Sequence, residues 1–302
     1  MAVVKANCYS NGIHIALLIE DYVCGFAVAN VFEGIRLRKL GITKQILSLS
    51  FSREQSYLCI KYDIMASLSC PLNYVEGVKY HIAIDSGMNR GGVKGKNELW
   101  ELLKIMAVHD IYGVYSHIYS ANEILTNSQI DRYEQAVRIA EKFNSQIVTH
   151  IFATNYKFFA DKFATDFVRL GIGMYENAVA VTSNIMQIKN LRAGESVGYD
   201  GEFIADKSMK IALCDGGYYD GVIRRFKGEN IAFNTDFCKV IGKISMDTHI
   251  IDVSDTNAKV GSITIIYDTD KLSFANRAEA MKISEYELMT SLKGRFEYVY
   301  LN

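Results

Sequence analysis

Short apolar runs alternate with longer amphipathic stretches through the first half of the chain. Runs at 2–6, 25–30, 45–50, 64–70, 80–85, 111–117, 146–151 and 167–171 are apolar on both faces, as buried parallel strands require. Between them Leu99, Leu102, Leu103 and Met106 recur at helical spacing, and Ile130, Tyr133, Val137 and Ala140 do the same. Parallel strands need crossovers, and closing the ring removes both exposed edges. The expectation is therefore an α/β fold with a (β/α)8 TIM-like barrel, against the alternative of an open doubly wound sheet. The region is compact beside the roughly 250 residues usual for such a barrel, so some helices should be short or missing.

Beyond residue 178 the pattern changes to alternating strands with turn residues, at 185–189, 195–205, 210–214, 239–252 and 262–267. No helical period appears until Ser284, where Ser284 and Glu287 form a capping-box pattern before an apolar run. The chain thus divides into a barrel domain, 1–178, and a mainly β C-terminal domain, 179–302.

Composition narrows the function classes. Of 302 residues, 49% are hydrophobic and 22% charged, which suits packed cores. A net charge of -1 without long basic runs gives no footprint for nucleic acid or anionic lipid, leaving a small molecule as the expected partner. No apolar stretch approaches the ~20 residues of a spanning helix. Six cysteines (Cys8, Cys24, Cys59, Cys70, Cys214, Cys238) stand singly, which fits a reducing cytoplasm, and six histidines without ligand spacing predict no metal site.

The first strand leads into Lys5, Ala6, Asn7, Cys8 and Tyr9, placing a lysine at the carboxyl end of a barrel strand, where such enzymes keep their chemistry. By position alone it is either a surface lysine or a Schiff-base lysine activated by desolvation and neighbouring cations. The wider chain decides. The segment AVVKANCYSNG at 2–12, HIAIDSGMNRGGV at 81–93, SHIYSAN at 116–122, THIFATN at 149–155 and VRLGIGMYEN at 168–177 together resemble segments of the alanine racemase family. GESVGYDGEF at 194–203, GGYYDGVIRR at 216–225, ISMDTHIIDV at 244–253 and YELMTSLKGR at 286–295 continue the resemblance in the same order, nearly end to end.

That resemblance implies pyridoxal 5'-phosphate (PLP) on Lys5 and racemisation of L- and D-alanine by two opposed bases, Lys5 and Tyr199. It implies a homodimer, because Tyr199 and Met246 would complete the partner's site, Met246 by closing the substrate pocket. Tyr9, Thr154, Gly171 and Ile172 match the phosphate site, and Arg90 matches the arginine that contacts the cofactor phenolic oxygen and the substrate carboxylate. Arg169 matches the residue that binds the pyridine nitrogen, joined to the catalytic tyrosine through a histidine equivalent to His117. A free tyrosine titrates near ~10, so as a base it needs such help. An arginine keeps its proton, making the ring a weaker electron sink suited to simple reprotonation.

The sequence also departs from the pattern. Members carry a strand and helix before the PLP lysine, whereas Met1 precedes the lysine strand here, so a fragment or an internal start is expected. Ala83 stands where many members have a carbamylated lysine that orients the equivalent of Arg90. Gly294 stands where some have a tyrosine contacting the phosphate, which is expected to leave extra room and keeps serine racemisation as an alternative. A non-catalytic PLP-binding protein and an inactive relative are the others.

Overall fold

The computed structural model describes residues 1–154 and 163–301, in two compact units. The first comprises Met1–Cys8 and Gly12–Met174. Seven strands, β1 (Ala2–Val3), β2 (Gly25–Val28), β3 (Gln45–Ser48), β4 (Met65–Leu68), β5 (Tyr80–Ala83), β6 (Ile111–Tyr115) and β7 (Val148–His150), pair in chain order and all in parallel. Strands β2, β4 and β5 are buried at every residue, the two-faced burial that their largely apolar composition predicts, with Ser67 and His81 as buried polar exceptions.

The expected eight-stranded closure is only half achieved. The run 167–171 forms no ladder; it takes one bridge to β1, Ala2↔Leu170, and backbone bonds from Arg169 to Phe152 on the β7 side. The cause lies in β1, which stops at Val3 instead of reaching Ala6. From Ala6 to Ser10 five consecutive residues have φ between 53° and 69°. Left-handed backbone costs L-residues roughly 1–2 kcal/mol each, and it cannot continue a strand.

The helices follow from their stripes and caps. Gly95–Ile105 buries Leu99, Leu102 and Leu103, while Glu123–Ala140 buries Ile130, Tyr133, Val137 and Ala140. Asn30 caps Val31–Leu40 through its side chain, and Gly41, left-handed at φ 104°, ends it.

The second unit comprises Tyr9–Asn11 and the chain from Tyr175 onward. Its strands are β8 (Val181–Leu191), β9 (Ser196–Val197), β10 (Phe203–Ile204), β11 (Met209–Asp215), β12 (Asn230–Phe233), β13 (Asp236–Lys239), β14 (Thr248–Asp252) and β15 (Ile263–Tyr267). Six form an antiparallel sheet in the order β13-β12-β15-β8-β11-β14, and β9 pairs with β10. Val197, Ala205, Met209, Ile211 and Ile241 make a core cluster there. Two sequence expectations need correction. A helix at Phe274–Met281 precedes Ser284, capped by the Ser273 side chain, and the helix Glu285–Ser291 starts where expected but Ser284 makes no side-chain cap bond.

Candidate active site

Lys5 follows β1 and is partly buried, immediately before the left-handed segment. The Glu33 carboxylate pins this turn: it accepts from the Ala6 backbone N–H at 2.8 Å and from Ala29 N–H at 2.7 Å, tying the lysine turn to the end of β2. A run of strained backbone held by a dedicated carboxylate marks a functional loop more often than a structural one.

The first unit gathers four of the expected residues. His117, at the end of β6, is partly buried, and its pKa falls to about 4 through burial first, then the charges of Arg169, Arg90 and Lys5. Burial and these positive charges both disfavour the imidazolium, so His117 stays neutral at physiological pH. Arg90 is exposed, and its charge also acts on the Tyr115 phenol, which receives a short bond from or gives one to Ser67 at 2.7 Å.

Arg169 is buried at 5% exposure, and burial lowers its pKa. Among the described residues no carboxylate pairs with it. Its Nη1 donates to His150 Nδ1 and, at 3.1 Å, to the His150 carbonyl; its Nη2 donates to the carbonyls of Ser116 at 2.6 Å and Ile151 at 3.4 Å. The guanidinium also lies 5.1 Å from the Tyr115 ring centroid. A buried cation held by neutral acceptors keeps its full charge for whatever lies beside it.

Thr154 and the turn at Gly171 and Ile172 adjoin. Gly173 N–H donates to Thr154 Oγ1 at 3.3 Å, and a Cβ on Gly173 would lie 2.4 Å from Thr154 Cγ2. Ile172 is buried and opens the short 3-10 turn Ile172–Met174. Such a turn beside a hydroxyl offers clustered donors for an anion.

The second unit holds the other three. Tyr199 is 65% exposed on the turn Tyr199–Gly201, whose Asp200 has φ 60° and pairs with Lys243. Met246 is 52% exposed, and its carbonyl sits where a Cβ on Gly217 would lie at 2.3 Å, so the 217 turn must be glycine. Tyr9, by contrast, is buried beside Tyr175 and Tyr286, at ring distances of 5.4 and 6.2 Å, and burial above all pushes its phenol up to about 12. It stays protonated at neutral pH.

Gly294 has φ +94°, and a Cβ there would lie 2.7 Å from the Tyr219 ring, so the backbone and its neighbour both favour glycine at this position. At Ala83, on β5, no lysine supports Arg90, and the neighbouring phenol is that of Tyr115.

Several residues escaped sequence reasoning. Gln129 and Tyr133, buried on one helix, brace the β6 end: Gln129 donates to Ser86 Oγ at 3.1 Å and to the His117 carbonyl at 3.0 Å, and Tyr133 donates to the Val114 carbonyl at 2.7 Å. His81, Tyr115 and Glu33 were equally silent, because each is defined by its tertiary partners. Among the described residues no cluster suits a metal ion, and no helix is long and apolar enough to cross a membrane.

Comparison with known proteins covers both units. Residues 1–178 match the family described as "Alanine racemase, N-terminal domain", and residues 178–300 match "Alanine racemase, C-terminal domain". A protein of Streptococcus equi subsp. zooepidemicus named alanine racemase is 27% identical over 99% of this chain and 90% of its own length. The alanine racemase structure from Acinetobacter baumannii is 24% identical, with TM-score 0.82 over 98% of this chain and 90% of that one. An alanine racemase structure from Bartonella henselae with covalently bound pyridoxal phosphate is 22% identical, with TM-score 0.83 over 99% of this chain and 92% of that one. The two structures establish a shared fold.

Proposed function

The chain belongs to the alanine racemase family, and from that premise we propose that it interconverts L- and D-alanine with PLP held on Lys5. The observation that carries this reading is the buried Arg169 guanidinium, held by four neutral acceptors and paired with no carboxylate among the described residues, in the same unit as Lys5, Arg90 and His117. An anionic aldehyde needs an amine and cationic donors, which Lys5, Arg90 and Arg169 can supply, and the Thr154 hydroxyl with the tight Gly173 turn suits its phosphate.

When bound, PLP withdraws electrons from the substrate Cα and so acidifies its hydrogen. The chain's own residues do the rest. Lys5 Nζ takes or returns the proton on one face, and Tyr199 Oη of a second copy serves the other face. Arg90 orients the substrate carboxylate through a planar fork. Arg169, a donor that keeps its proton, would bind the ring nitrogen, and neutral His117 could link the tyrosine to it by accepting one hydrogen bond and donating another. Thr154, Gly171 and Ile172 would hold the phosphate, while Met246 of a second copy would close the substrate pocket.

Further parts of the reading rest on burial. Tyr199 and Met246, exposed in one chain, support a homodimer with shared sites. Six free cysteines support a cytoplasmic protein. The working division is a PLP-binding, half-closed barrel over 1–178 and a β domain over 179–302.

The test is incubation of the PLP-loaded protein with each enantiomer of alanine, and of serine, in deuterated water. Exchange of the Cα hydrogen with loss of optical activity for alanine is the expected result. PLP binding without exchange of either amino acid would replace the racemase reading by a non-catalytic one.

A further inference from the structure

One member of the buried network has no role so far. His81, on β5, is 1% exposed, and its Nδ1 lies 2.8 Å from His150 Nε2. A guanidinium can only donate, so the contact from Arg169 Nη1 makes His150 Nδ1 an acceptor. The His150 proton must then sit on Nε2, where it is donated to His81 Nδ1. That leaves the His81 proton on its own Nε2, which is buried and meets no acceptor among the described residues. The chain of bonds ends there, so it fixes tautomers and cannot pass a proton onward.

The fold makes room for this arrangement. A Cβ on Gly113 would lie 2.5 Å from His81 Nδ1 and 2.7 Å from the Val148 carbonyl, so any larger residue would displace the imidazole. His150 is clamped between Tyr115, parallel within 2° at 5.0 Å, and Phe167 at 4.4 Å, and cannot swing to another partner. Burial, and then the Arg169 charge, push His81 down to about 3 and lower His150 as well, so both stay neutral. A buried N–H without an acceptor is destabilising, a cost that an apolar side chain at position 81 would avoid.

We propose that His81 is a positioning residue of the racemase site: by accepting from His150 it locks the tautomer whose Nδ1 receives Arg169, and so fixes the guanidinium. The proposal rests on the racemase reading above. An acceptor at position 81 is what matters, so His81→Asn, whose Oδ1 can stand near the place of Nδ1, should preserve the lock, and His81→Leu should break it.

Side-chain 15N NMR of the PLP-loaded wild type at neutral pH should show His150 and His81 as neutral Nε2–H tautomers. In His81→Leu, kcat for alanine should fall about tenfold in both directions with KM little changed, the scale of one lost hydrogen bond. His81→Asn should stay within about threefold of wild type. An Nδ1–H tautomer at His150, wild-type kcat in His81→Leu, or equal losses in the two variants would overturn the proposal. Should His81→Leu fail to fold, the wild-type spectra and His81→Asn decide the matter. Expected tautomers with no alanine turnover would sink the racemase reading while sustaining the lock.

Discussion

The proposed site residues of the first unit and those of the second differ in how firmly the chain holds them. Arg169 is buried and makes four hydrogen bonds to neutral acceptors, and its partner His150 is clamped between two rings. Tyr199 and Met246 expose more than half of their surface to solvent, Tyr199 on the turn Tyr199–Gly201. The contrast is between a cation fixed in a buried network in one unit and side chains left open to solvent in the other. A phenol in water is a poor base, and the chain's buried cations lie elsewhere in the sequence.

The largest effect should come from the first unit. Lys5→Ala should lower alanine racemisation by a factor on the order of 1000 or more in both directions, measured as Cα-hydrogen exchange, because it removes a nucleophile and a base together. Tyr199→Phe should instead act on one enantiomer, reducing its exchange by about 100-fold to 10,000-fold. It should leave the melting temperature nearly unchanged, given its exposure. Equal, mild effects of the two changes would erase the distinction between the units' roles.

Acid should separate the units next. Burial lowers the pKa of His81, His117 and His150 in the first unit and of His249 in the second. Unfolded histidines titrate near 6.5, so below that pH the unfolded state binds more protons, and stability falls as pH falls. The loss approaches ~1.4 kcal/mol per pH unit for each fully buried histidine until its folded pKa is reached. Limited proteolysis between pH 6.5 and 4 should therefore cut the first unit before the second.

Two smaller effects sharpen the picture. Gly173→Ala drives a methyl into Thr154 and should cost about 1–3 kcal/mol, read as a lower melting temperature and weaker PLP retention. Asp200→Asn breaks an exposed pair with Lys243 and should change stability by less than ~1 kcal/mol.

Much of this architecture was legible from patterning, because burial on both faces leaves a plain mark on a strand and helical stripes leave one on a helix. Leu99, Leu102 and Leu103 did pack as their spacing required. The left-handed segment after Lys5 left no such mark. Ala6, Cys8 and Tyr9 are not residues that choose positive φ, so tertiary anchors such as Glu33 impose it. The helix Phe274–Met281 was too short to show a period. His81 could not be read either: the segment that contains it pointed to Asp85 and Arg90, and its tautomer logic exists only once β5, β7 and Arg169 are assembled.

The central claim is tested most directly by reducing the PLP-loaded protein with borohydride and mapping the labelled peptide. A pyridoxyl group on Lys5 and nowhere else is the predicted result. A label on any other lysine, or none, would contradict the account.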